Sequence, residues 1–85
     1  MKSLTHTVQN ARGLHARPAA QLIDLLQQFT CTCTLSMDLK TINPRDILAL
    51  MAFGVRSGSQ ITFTFSGEDE AIAADAVHTF LQAAL

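Results

Sequence analysis

The sequence predicts an α+β fold: an open-faced β-sandwich in which a four-stranded antiparallel sheet carries three helices on one face. Three observations lead there. Three segments alternate apolar and polar residues with the two-residue period of a half-buried strand, and a fourth, Lys40–Asn43, follows the second of them across a turn. Three others repeat apolar residues every three or four positions, the period of an amphipathic helix. Their order is βαββαβα, and no linker, repeat or low-complexity tract interrupts it, so residues 1–85 form a single small domain.

The first strand runs from about Lys2 to Val8, with Leu4, His6 and Val8 on one face and Ser3, Thr5 and Thr7 on the other. A loop through Arg12 and Gly13 leads to a helix that starts near Ala16. Ala19, Leu22, Ile23, Leu26 and Phe29 form its apolar stripe. Pro18 falls in the first turn, where a missing N–H costs nothing. Cys31, Cys33, Leu35 and Met37 alternate with Thr32, Thr34 and Ser36, giving the second strand. Asp38 and Leu39 would turn the chain into a third strand at Lys40–Asn43. Leu39 suits a two-residue hairpin poorly, so a wider turn or an uncomfortable backbone is expected. A short helix spans Ile47–Phe53, capped by either Asn43 or Asp46 and ended by Gly54. In its stretch, Leu50 and Phe53 are expected in the core and Ile47 and Met51 at the surface. The fourth strand, Gln60–Ser66, alternates Ile61, Phe63 and Phe65 with threonines. The third helix opens at Glu68–Glu70 and would bury Ile72, Ala73, Ala76, Val77, Phe80 and Ala84.

Composition removes several functions. Apolar residues are 48% of the chain and charged residues 15%, which supports a packed core and argues against disorder. A net charge of −1 does not suit a mainly electrostatic nucleic-acid binder. No apolar run approaches the ~20 residues that span a bilayer, so no membrane insertion is expected. Met1–Asn10 contains no hydrophobic leader block, which predicts a cytoplasmic location. Cys31 and Cys33 lack the spacing of a redox pair and are expected to be reduced. His6 and His78 match no metal-ligand spacing, so neither metal nor cofactor is expected. His6 reads as a core or rim residue and His78 as an outer residue of the third helix.

The chemistry lies in Gly13-Leu14-His15-Ala16-Arg17-Pro18. This segment sets a histidine at the N-cap of a helix, where first-turn amides have no intrahelical partner. Arg17 adds a guanidinium fork suited to phosphate. A neutral imidazole nitrogen is a competent nucleophile towards phosphorus. Nucleophile, anion-binding amides and cation are thus the parts of a phosphoryl-transfer site. An exposed loop histidine beside a solvated arginine would look the same on spacing alone.

Extended to Ala19-Ala20, the motif resembles the active-site signature of the HPr family, the histidine phosphocarriers of the bacterial phosphoenolpyruvate:sugar phosphotransferase system (PTS). Length, element order, glycine positions and the acidic Gly67-Glu68-Asp69-Glu70 turn agree along the whole chain. The resemblance implies an HPr-like fold and a phosphoryl carrier, not an enzyme that turns over a small-molecule substrate. His15 would accept the group on Nδ1 from phosphorylated enzyme I and pass it to an enzyme IIA domain. Arg17 would stabilise the group in transfer, with the amides of Ala16 and Arg17 holding its oxygens. Both partners would dock on Ala16, Ala20, Ile47, Leu48 and Met51, and the carrier would act as a monomer. Asp46 occupies a site that is often a regulated serine, so its fixed charge could modulate docking; an ordinary helix cap is the alternative. Where relatives commonly carry lysines, this chain has Asp24, Gln27 and Ala49, leaving Lys40, Arg45, Arg12 and Arg17. Weaker steering towards acidic partners is therefore expected. The competing reading is a specialised or regulatory HPr-like protein that acts mainly by binding a regulatory partner.

Overall fold

A computed structural model describes residues 1–85. Its seven elements are β1 (Lys2–Thr7), α1 (Ala16–Leu26), β2 (Thr32–Met37), β3 (Lys40–Ile42), α2 (Ile47–Ala52), β4 (Gln60–Ser66) and α3 (Glu70–Ala84). The strands form one antiparallel sheet in the order β1-β4-β2-β3, so the last strand lies between the first two. Register pairs Leu4 with Phe63 and Leu35 with Phe63, which brings the apolar positions of three strands onto one face. There Cys33, Leu35, Ile61, Phe63 and Phe65 meet Ala19, Leu22 and Leu26 of α1 and Ala73, Val77 and Leu81 of α3. Each fully buried leucine contributes about 1.5–3 kcal/mol relative to exposure. The other face is a threonine surface, across which the Thr5 and Thr62 hydroxyls bond at 3.1 Å.

The expected elements are present, with three adjustments. β1 stops at Thr7, although the Val8 N–H still donates to Ser59. Asp38 and Leu39 do make a two-residue turn, since Met37 pairs with Lys40. The discomfort falls on Asp38, at φ 56°, while Leu39 is fully exposed. An Asp tolerates that left-handed geometry better than a leucine would. On α3, Ile72 is 67% exposed and Leu81 is buried in its place. The buried set is Ala73, Val77 and Leu81, a strict i, i+4, i+8 row that leaves Ile72 on the outer side.

Asp46, not Asn43, caps α2: its carboxylate accepts from the amides of Leu48 and Ala49 at 3.1 and 3.2 Å. Asn43 instead accepts from the Arg45 N–H, forming the turn before the helix. Gly54 follows the helix at φ 78°, the left-handed step expected of it.

Two ends of the sheet can now be distinguished. One gathers the β1–α1 loop, the α2–β4 loop and the end of α3, where the Leu85 backbone oxygen accepts from the amides of Gln9 and Asn10. The other holds the α1–β2 loop and the start of α3, joined by Asp69, whose carboxylate accepts from the amides of Thr30 and Cys31.

Candidate functional site

His15 stands at the first of these ends as the N-cap of α1, in extended backbone at φ −102°, ψ −175°. Gly13 makes this placement possible. Its φ is 62°, and a Cβ on it would lie 2.6 Å from the Val55 carbonyl oxygen and 2.8 Å from Arg56 Cα. The close approach lets the Leu14 amide donate to Val55 at 3.2 Å, while the Leu14 side chain enters the core. The histidine that follows is thereby held at the mouth of the helix, with its ring half-buried.

No side chain caps α1. Its first intrahelical bond joins the Ala19 amide to the His15 carbonyl, and the amides of Ala16 and Arg17 donate to nothing within the protein. Pro18 is buried and has no N–H to satisfy. The Arg17 side chain is exposed and makes no hydrogen bond or ion pair. His15, Arg17, Asn10 and Gln21 line a shallow depression of about 390 Å³, closed on its far side by Phe80 of α3. The helix dipole adds partial positive charge at this spot.

One detail departs from the expected chemistry. His15 Nδ1 lies 3.3 Å from the Gly13 carbonyl oxygen. A carbonyl only accepts, so this contact is a hydrogen bond only in the tautomer that carries its proton on Nδ1 and its lone pair on Nε2. The contact is long for an N–H···O bond, so little is lost when it opens.

Ile47, Leu48 and Met51 are 43%, 79% and 41% exposed, and Ala16 and Ala20 are exposed on α1, which packs against α2. Leu50 and Phe53 are buried, as expected. The five expected docking residues thus lie on the surface of two adjacent helices.

Arg45 is a correction. Its guanidinium donates to the carbonyls of Leu26, Phe29 and Cys31, at 3.0, 3.0 and 2.9 Å for the closest bond to each. It closes the C-terminal end of α1 and is not a free surface cation. Arg56 is the cation that sequence reasoning missed. Its backbone abuts Gly13, yet it is far from His15 along the chain, and only the Gly13 conformation hinted that something packs there.

Both cysteines are free and buried. Burial pushes the Cys33 thiol up to about 12 and raises Cys31 as well, with Asp69 adding to the latter. Both stay protonated and unreactive at neutral pH. No helix is long and apolar enough to cross a membrane.

The family described as "PTS HPr component phosphorylation site" matches residues 2–83. A phosphocarrier protein HPr of Lysinibacillus sphaericus is 37% identical over 81 residues, covering 95% of this chain and 92% of that one. The multiphosphoryl transfer protein of Salmonella typhimurium is 35% identical over 98% of this chain, which spans only 23% of that longer protein. Among solved structures, HPr from Thermoanaerobacter tengcongensis superposes with a TM-score of 0.92 at 31% identity, covering 98% of this chain and 93% of that one. A dimer of HPr from the same organism has also been solved.

Proposed function

The chain belongs to the PTS-HPr family, and from that premise we propose which of its residues perform the phosphocarrier role that membership brings. The protein is a phosphocarrier of the PTS. His15 receives the phosphoryl group from phosphorylated enzyme I and yields it to an enzyme IIA domain. The observation that carries this assignment is the half-buried His15 beside two unpaired amides, Ala16 and Arg17, with the Arg17 guanidinium unengaged.

Magnitudes suit a carrier. A phosphoryl group adds up to about two negative charges at the head of α1. Attraction to the helix end contributes about 0.3–1 kcal/mol. A charge-assisted bond from Arg17 adds about 1.5–3 kcal/mol. These amounts hold the group without trapping it. If transfer is to Nδ1, a proton held there leaves first, to Nε2 or to solvent, and the Gly13 contact opens. The bond to phosphorus then forms as the donor's own bond to phosphorus breaks.

Ala16, Ala20, Ile47, Leu48 and Met51 form the docking face for both partners, supported by their exposure. The two amide bonds to Asp46 support a capping role for that carboxylate over a regulatory one. We assign the carrier a monomeric state and, by family membership, a cytoplasmic location. Dimers exist among its relatives, so sedimentation at working concentration decides the first.

Incubation with enzyme I, phosphoenolpyruvate and magnesium is expected to give an acid-labile phosphate mass shift. His15→Ala abolishes it. Arg17→Ala slows transfer strongly while leaving the melting temperature unchanged, because the Arg17 side chain bonds to nothing in the fold. A shift retained in His15→Ala overturns the assignment.

A further inference from the structure

We propose that Asn10 is a positioning residue for phosphoryl transfer: it clasps the β1–α1 loop to the end of α3 and so fixes the His15 ring against the α3 wall of its depression. The proposal rests on the phosphocarrier reading and adds a residue outside the histidine motif on which that motif depends.

Asn10 is half-buried and has a partner for each of its polar groups. Its backbone N–H donates to the Leu85 backbone oxygen and its Nδ2 donates to the Ala84 carbonyl, both at 3.2 Å. In the other direction, its Oδ1 accepts from the Arg12 amide and its carbonyl accepts from the Gly13 amide, both at 3.0 Å. The carbonyl of Gly13 then faces His15 Nδ1 at 3.3 Å. A turn over residues 10–13 needs only the two forward bonds. The two that reach back to α3 tie that turn, and the histidine behind it, to a helix far along the chain.

The consequence lies in the depression itself. His15 and Arg17 stand on one wall, Phe80, Ala83 and Ala84 of α3 on the other, and Asn10 joins the two. The side chains of the α3 wall offer no donor to an anion, so that wall bounds the space of the phosphoryl group without binding it. On its other side the loop is anchored separately, by the Leu14 amide on Val55. Losing the Asn10 side chain therefore frees only the α3 side, and the ring shifts relative to the amides of Ala16 and Arg17. A misplacement of about 1 Å at a reacting atom costs as much as ~100-fold in rate. The docking residues on α1 and α2 are untouched, so the loss falls on kcat and spares KM.

The test is steady-state phosphotransfer from phosphorylated enzyme I to the intact chain, with Asp69→Asn as comparator because it loosens the fold at the far end. Asn10→Ala lowers kcat by roughly fivefold or more and leaves KM within about twofold. Asn10→Ser keeps an acceptor for the Arg12 amide but is too short to reach Ala84, so it recovers only part of that loss. Asp69→Asn keeps both constants within about twofold despite its lower stability. The 15N signals of the His15 ring move in both Asn10 variants and stay in place in Asp69→Asn. Circular dichroism checks folding, and Asn10→Ser carries the test if Asn10→Ala does not fold. If Asn10→Ser matches the unaltered chain, if the loss falls on KM, or if Asp69→Asn lowers kcat equally, the clasp is refuted and the phosphocarrier role stands. If the unaltered chain accepts no phosphoryl group, both fail.

Discussion

Two residues at the site end show how much depends on single atoms. Gly13 works by lacking a side chain: the missing Cβ leaves room for the Val55 carbonyl to accept from Leu14 and for Arg56 to approach the loop. His6 is the reverse case. It sits on the inner face of β1 opposite Ile61, and its Nε2 is buried without a partner. An unpaired polar atom in such a place costs free energy in any protonation state. His6→Leu puts an apolar side chain on that face and removes the orphan, so it is expected to stabilise the fold by about 1 kcal/mol. The melting temperature should rise by about 4–8 °C. A scanning calorimetry trace at or below the unaltered midpoint would contradict this account of the ring.

Short elements need more support than their sequences show. Helix α2 has six residues, too few to persist alone. It survives on Asp46 at one end, Gly54 at the other and Leu50 underneath. Gly54 and Leu50 were legible from the sequence because each is local, a terminator read from one residue and a stripe from spacing; the cap was not, since Asn43 and Asp46 both suited it until their hydrogen bonds separated them. The histidine motif was legible because it too is local. Arg45 and Arg56 were not, since the carbonyls one satisfies and the glycine the other abuts belong to distant parts of the chain. Ile72 was misplaced because α3 is apolar on much of its circumference, and only the packing row Ala73–Val77–Leu81 decides which side turns inward. Arg45 yields a prediction at this scale. Arg45→Met preserves the stem but strands the carbonyls of Leu26, Phe29 and Cys31, at a cost of roughly 3 kcal/mol. Arg45→Lys should recover little, because one ammonium cannot span three acceptors in a fork. Urea midpoints for both variants decide it; a near-native value for Arg45→Met would show that water satisfies those carbonyls equally well.

Across the whole molecule the two ends are built for different work. The site end leaves donors and cations unspent, while the far end spends its charges on closure. Arg45 seals the end of α1 there, and Asp69 ties the α1–β2 loop to α3. The Thr30 amide at 2.8 Å chiefly holds the Asp69 carboxyl below its ordinary value, with the Cys31 thiol and amide adding to the effect. The charged form is thus favoured in the folded state, and near the usual carboxylate range the unfolded chain binds more protons. Stability from Asp69 is therefore complete above about pH 4. It is lost as pH falls through the lower folded value. Asp69→Asn removes this dependence: the variant is less stable at pH 7, and the gap to the unaltered chain narrows towards pH 3. Urea unfolding between pH 3 and 7 measures the gap directly. Two parallel curves would mean that the clasp between the α1–β2 loop and α3 does not depend on the charge of Asp69.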